Sequence, residues 1–155
     1  MNHTCTHFHF QSRAKKATAL AYKRLIADLA DPLPLKFDKI GTFSHGKCNQ
    51  TTYVVYAKLT DDGHKQRFLK LIDTVVATFE EHGLYSTDNR PPNPHLTIAK
   101  LSKYVPSVRS IQPYLYRNYI NLTFGTEIVQ GIELLAMSDL AESEDGYYKV
   151  FARYP

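Results

Sequence analysis

Two short stretches of this 155-residue sequence hold side chains that could move protons. In "NPHLTIAKLSK", residues 93–103, the imidazole of His95 stands two positions before the hydroxyl of Thr97, at the head of an apolar run. Period-2 alternation puts His95 and Thr97 on one face of a strand and Leu96 and Ile98 on the other, with Leu101 also reading as core. The second stretch, "TCTHFHFQ" at residues 4–11, separates Thr4, Thr6, Phe8 and Phe10 from His3, Cys5, His7 and His9. An imidazole titrates near neutral pH, so one histidine can accept a proton while another donates one. A threonine hydroxyl beside them can hold an oxygen on which negative charge builds up. His and Cys are also zinc ligands, but alternating residues of one strand diverge too little to surround an ion. No second Cys/His group has ligand spacing, so neither a metal nor any other cofactor is expected.

The rest of the chain must position these groups. Its length suits one domain, residues 1–155, with a real core. Hydrophobic residues at 43% and charged residues at 22% describe an ordinary soluble globular chain, and a net charge of +4 leans mildly toward anionic partners. Two cysteines cannot build a disulfide framework, and no apolar run approaches membrane-spanning length. The expected compartment is therefore reducing, cytoplasm or nucleus, with no membrane partner and a monomeric state.

Strand residues 4–11 are expected to lead, through an N-cap at Ser12, into a helix over about 13–30. On that helix Ala17, Leu20, Ala21, Leu25 and Leu29 recur at helical spacing until "DPLP" stops it. Two strands, 35–43 and 51–59, flank the polar "SHGKCNQ" as a hairpin. A second helix follows "DDG", with Phe68, Leu71, Ile72, Val75 and Phe79 on one face and Gly83 as its C′ residue. Three prolines make residues 86–94 a loop, and the His95 strand runs to 102. Pro113 is expected to start a short helix to about Ile120. Strands at 127–140 and 146–154, joined by "AESEDG", complete the order β-α-β-β-α-β-α-β-β. That order points to an α+β fold with outer helices. It also contains an echo: each His-headed strand neighbours a helix, and two pseudo-symmetric lobes would place His3 and His95 across one central cleft.

"PHLTIAKLSK" resembles the second signature of the 2H phosphoesterase (LigT-like) superfamily, whose members carry two His-x-[Thr/Ser] motifs on facing strands. "LKFDKIGTF", "VYAKL", "FEEHGL", "SIQPYLYRNYINLTFGTEI" and "DGYYKV" extend the resemblance over residues 33–150. They match most closely the branch comprising the phosphoesterase domain of A-kinase anchoring proteins and its coronavirus, torovirus and rotavirus relatives. The spacing to Ile40 puts motif one at His3–Thr6, with His7 and His9 as alternatives. Cys5 stands there in place of a hydroxyl, and thiols are weaker hydrogen-bond donors.

The resemblance implies metal-free cleavage of a phosphodiester beside a ribose hydroxyl, with His3 and His95 as acid and base and Thr97 on a phosphate oxygen. Thr4, Cys5, Thr6 and Lys100 would contact substrate, and Tyr148 rather than Tyr147 would stack on a base. Branch resemblance implies 2',5'-oligoadenylate as the substrate, in a host domain or in a viral antagonist of oligoadenylate signalling. The alternatives are a 2',3'-cyclic phosphodiesterase acting on RNA ends and a non-catalytic nucleotide-binding module. A kinase-anchoring scaffold is disfavoured, because no long amphipathic helix remains beyond the two that face the core.

Overall fold

Ala14, Ala17, Ala21 and Leu25 recur at helical spacing, and all four are buried along one face of α1 (His3–Leu29). The computed structural model describes the backbone of residues 3–45, 51–87, 90–101, 110–136 and 148–155, and the side chains in those ranges from Gln11 onward except His45. The strand expected over residues 4–11 does not form: His3, Thr4, Cys5 and Thr6 belong to the first turns of α1. Once the alanine-rich stretch forms a helix, each residue added upstream gains a hydrogen bond as its backbone is fixed. An eight-residue alternation does not outweigh that. Ser12, expected as a cap, lies inside the helix.

α1 ends before Asp31 and Pro32, where proline removes a donor. Its terminal carbonyls are taken up by Arg67, whose guanidinium donates to Asp31 O at 2.8 Å, to Pro32 O at 3.3 Å and to Asp28 O. Arg67 belongs to α2 (Gly63–Glu81), so one helix supplies the other's C-cap. At the start of α2, the Lys65 N–H donates to Asp62 Oδ1 at 3.0 Å. That bond, followed by the nearby His64, holds the Asp62 carboxyl below its ordinary range. At its end Gly83 takes a φ of 67°, and the Gly83 and Leu84 N–H groups donate to Glu80 O and Phe79 O. This is a Schellman turn, as the position of Gly83 predicts, with Leu84 buried beside Ala14, Ala17 and Phe79. Arg24 on α1 grips Glu81 with both guanidinium nitrogens, at 2.9 and 2.8 Å, and donates to Thr78 Oγ1 at 2.9 Å.

The chain forms two compact units, Met1–Leu33 with Arg67–Pro91 and Val129–Pro155, and Pro34–Gln66 with Pro92–Ile128. The first holds α1, most of α2 and an antiparallel pair, β5 (Ile132–Leu135) with β6 (Val150–Tyr154). The second is a four-stranded antiparallel sheet made from β1 (Pro34–His45), β2 (Thr51–Leu59), β3 (His95–Lys100) and β4 (Thr123–Ile128). Its strand order is β3-β2-β1-β4, and its core gathers Ile40, Val55 and Ile111, with Leu101, Tyr116 and Phe124 packed around them.

The α+β class stands: helices pack with antiparallel sheets. Several details differ from expectation. β3 is an edge strand rather than a central one, and Leu96 and Ile98 are 51% and 47% exposed instead of forming core. Leu101 does join the core, just beyond the strand. The helix expected from Pro113 is two 3-10 turns, Pro113–Leu115 and Arg117–Tyr119, broken where Tyr116 turns to φ −131°. The strand expected over 127–140 is split between β4 and β5: the Val129 N–H still bonds Leu33 O in continuation of the β1–β4 register, and the chain then turns at Gly131 to pair with β6 from Ile132. The "AESEDG" turn lies outside the described residues.

Replacing Leu25, 1% exposed, by alanine should cost about 2–5 kcal/mol in denaturant unfolding. Because the Asp62 carboxyl is held below its ordinary range in the fold, its stabilisation is present above the unfolded-state range and lost as pH falls through the folded value. Asp62→Ala should therefore lower Tm at pH 7, and the gap from wild type should close in acid, which thermal melts across pH will check.

Candidate functional site

The loop ending in Pro91, Pro92, Asn93 and Pro94 delivers His95 as the first residue of β3. Its ring is held from both ends. Nδ1 lies 2.7 Å from Asn93 O. A carbonyl only accepts, so Nδ1 carries the proton, and in the neutral ring Nε2 keeps the lone pair. The ring also stands edge-on to Phe43 at 5.0 Å and 88°, and lies 5.0 Å from the ring of Tyr56. Phe43 and Tyr56 are themselves 4.5 Å apart, so three rings form one cluster.

That cluster depends on Gly41. Gly41 and Tyr56 are register partners, and a Cβ on Gly41 would sit 2.4 Å from Tyr56 Cζ. Only a residue without a side chain lets the tyrosine ring lie against β1 beside His95.

The β2–β3 ladder arranges the remaining groups. Lys58 pairs with His95, Tyr56 with Thr97, Val55 with Ala99, and Val54 with Lys100. Residues opposite each other in a ladder share a face, so His95, Thr97, Lys58 and Tyr56 lie on one side of the sheet. Strict alternation would send Lys100 to the other side. Between Thr97 and Ala99, however, β3 spends two residues against one step of β2, a bulge. The extra residue turns Lys100 onto the face of Thr97. His95, Thr97 and Lys100 are all exposed, so the row is open to a ligand. It offers a base, a hydroxyl donor and two cations to a phosphate.

The sequence expectation is met here for the shared face of His95 and Thr97. The partner motif differs: residues 3–6 are helical, so the His3 and Cys5 positions do not fall on one face as they would on a strand, and the side chains there lie outside the described residues. Tyr148 belongs to the other unit, as a 42% exposed residue just before β6. Sequence reasoning missed Phe43, Tyr56 and Lys58. Tyr56 and Lys58 interrupt "VVYAKL" with the same period-2 alternation as His95 and Thr97, and that was their signal. Among the described residues no three His, Cys, Asp or Glu side chains are grouped closely enough to hold a metal ion.

A family model described as the AKAP7 2'5' RNA ligase-like domain matches residues 9–155. The human protein A-kinase anchor protein 7 isoform gamma is 38% identical over 120 residues, which covers 75% of this chain and 32% of that protein. The chain thus spans about a third of the length of this relative.

Gly41→Ala should push the Tyr56 ring away from His95. Only the far end of one side chain must swing, so the Tm loss should be smaller than for Leu25→Ala. The proton signals of the His95 ring should move as the aromatic shielding is lost, whereas 15N spectra of the wild-type neutral ring should show the Nδ1–H tautomer.

Proposed function

The chain belongs to the 2H phosphoesterase superfamily, in the branch of the AKAP7 2'5' RNA ligase-like domain, and from that premise we propose that it is a metal-independent phosphodiesterase acting on 2',5'-linked oligoadenylate. The observation that supports this most is the fixed imidazole of His95, its Nε2 lone pair unengaged by the Asn93 bond, beside Thr97 on an open strand face.

In a 2',5' linkage the neighbouring 3'-hydroxyl is the internal nucleophile. One imidazole takes its proton as O3' bonds to phosphorus, and the bond from phosphorus to the departing O5' breaks. A second group gives that O5' a proton, leaving a 2',3'-cyclic phosphate and a 5'-hydroxyl. Thr97 donates to a non-bridging oxygen as charge gathers there, and Lys100 on the same face neutralises part of that charge. His95 fills one proton-transfer role. His3 remains the candidate for the other, with His7 and His9 as alternatives; as part of α1, it would act from a helix rather than a facing strand.

A second reading is a non-catalytic nucleotide-binding module. The helical course of residues 3–11 favours it, since the partner motif is not on a strand. Incubation with 2',5'- and 3',5'-oligoadenylates and 2',3'-cyclic AMP separates the readings. The 2',5' substrate should be cleaved equally with and without EDTA, and His95→Ala should slow cleavage by about 10²–10⁴-fold. Alanine variants of His3, His7 and His9 identify the second group by an equal loss. Preferential turnover of 2',3'-cyclic AMP moves the assignment to RNA ends. Tight AMP binding without turnover anywhere from pH 5 to 8 leaves only the binding module.

A further inference from the structure

Lys58 stands between two titratable groups. On one side it is paired with His95 of β3, and on the other with Asp38 of β1, which is paired in turn with Thr123 of β4. One row therefore crosses the sheet: Thr123, Asp38, Lys58, His95. Residues opposite each other in a ladder share a face, so the Asp38 carboxylate lies on the side that carries His95, Thr97 and Lys100. Neighbouring strands are about 4.8 Å apart, which sets β1 about 10 Å from β3 along this row.

A bulge in β1 puts the carboxylate there. Strict alternation would set Asp38 and Gly41 on opposite faces, but Lys39 is an extra residue against β2, so both share the face of Lys58 and Tyr56. Lys39 accordingly takes a φ of 55°, a conformation that favours glycine. The Lys39 and Ile40 N–H groups hold the bulge by donating to Leu122 O and Ile120 O, each at 2.9 Å. Asp38 is half-buried, and among the described residues it joins no ion pair and accepts no hydrogen bond, even with Lys58 opposite. An ionised carboxylate only accepts, and it repels an anion placed on Lys58. A ligand that uses both groups must bring hydrogen-bond donors beside its anion. A nucleotide does so with its ribose hydroxyls, a few bonds from phosphorus, and a carboxylate on a ribose hydroxyl is established chemistry in dinucleotide-binding folds.

We propose that Asp38 is a specificity-determining residue of the β3 site, its carboxylate accepting from the ribose hydroxyls of a nucleotide whose phosphate lies over Lys58 and Thr97. The assignment rests on the nucleotide reading given above and adds to it a preference for ribose over deoxyribose. The like charges of Asp38 and the phosphate make this preference two-sided: a ligand with hydroxyls gains from the carboxylate, and a bare anion loses.

Calorimetric titration with AMP, 2',3'-dideoxy-AMP and inorganic phosphate tests it. Wild type should bind AMP on the order of tenfold to a hundredfold more tightly than the dideoxy compound, the size of hydrogen bonds to a charged group. That comparison needs no variant to fold. Asp38→Asn should shrink the gap to a few-fold by weakening AMP, while inorganic phosphate binds more tightly because a like charge is gone. Equal affinity of wild type for AMP and its dideoxy analogue overturns the assignment. So does an Asp38→Asn variant that tightens all three ligands alike, the result expected if the carboxylate merely balances Lys58. A loss in that variant confined to AMP and absent for inosine monophosphate, which keeps the ribose but lacks the base amine, also overturns it. Cleavage of the 2',5' substrate is read separately. The ribose contact can fail with the phosphodiesterase intact, and turnover can be absent while the AMP gap and its loss in Asp38→Asn stand.

Discussion

The register of β2 against its two neighbours is the constraint from which the site follows. On one side β2 pairs with β1 and sets Tyr56 opposite Gly41; on the other it pairs with β3 and sets Lys58 opposite His95. A slip of one residue on either side would send the ring, the lysine or the imidazole to the opposite face. The buried Val55, Ala57 and Leu59, which alternate along the face opposite Tyr56, resist such a slip, since each would have to leave its buried face. The apolar residues of β2 thus fix the pairing, and the two interruptions among them, Tyr56 and Lys58, stand on the face of His95 and Thr97.

Local patterns carried much of the fold into the sequence. The second helix was legible down to its terminating glycine, because an apolar stripe and a left-handed C′ residue are both read within a few positions. The β1–β2 hairpin was legible for the same reason. The first element was not. Eight alternating residues read as a strand when taken alone, but they adjoin a strong alanine-based helix, and helix extension is cooperative across that junction. The 127–140 run failed in another way: its break at Gln130 and Gly131 is short, and the change of partner from β1 to β6 is a long-range feature that no local pattern carries.

At the site, alternation correctly grouped His95 with Thr97. It could not say what lies behind Leu96 and Ile98, because a period of two identifies faces without identifying what covers them. Lys100 was named for its charge, although simple counting places it on the wrong side; the bulge corrects that, and a bulge has no reliable signature in a single strand. Tyr56 and Gly41 are 15 positions apart and meaningful only as a pair. Neither invites comment until the hairpin brings ring and bare backbone together.

The bulge has a consequence for the life of the protein as a separate molecule. Among the described residues β3 pairs with β2 alone, and a rim strand exposes peptide groups that a foreign strand can extend into an open-ended stack. Half-exposed Leu96 and Ile98 would strengthen such a stack. Three prolines just before the strand remove donors, the extra residue spoils the even spacing that an incoming strand must match, and the ammonium of Lys100 resists being covered. The irregularity that turns Lys100 onto the face of His95 and Thr97 also works against polymerisation.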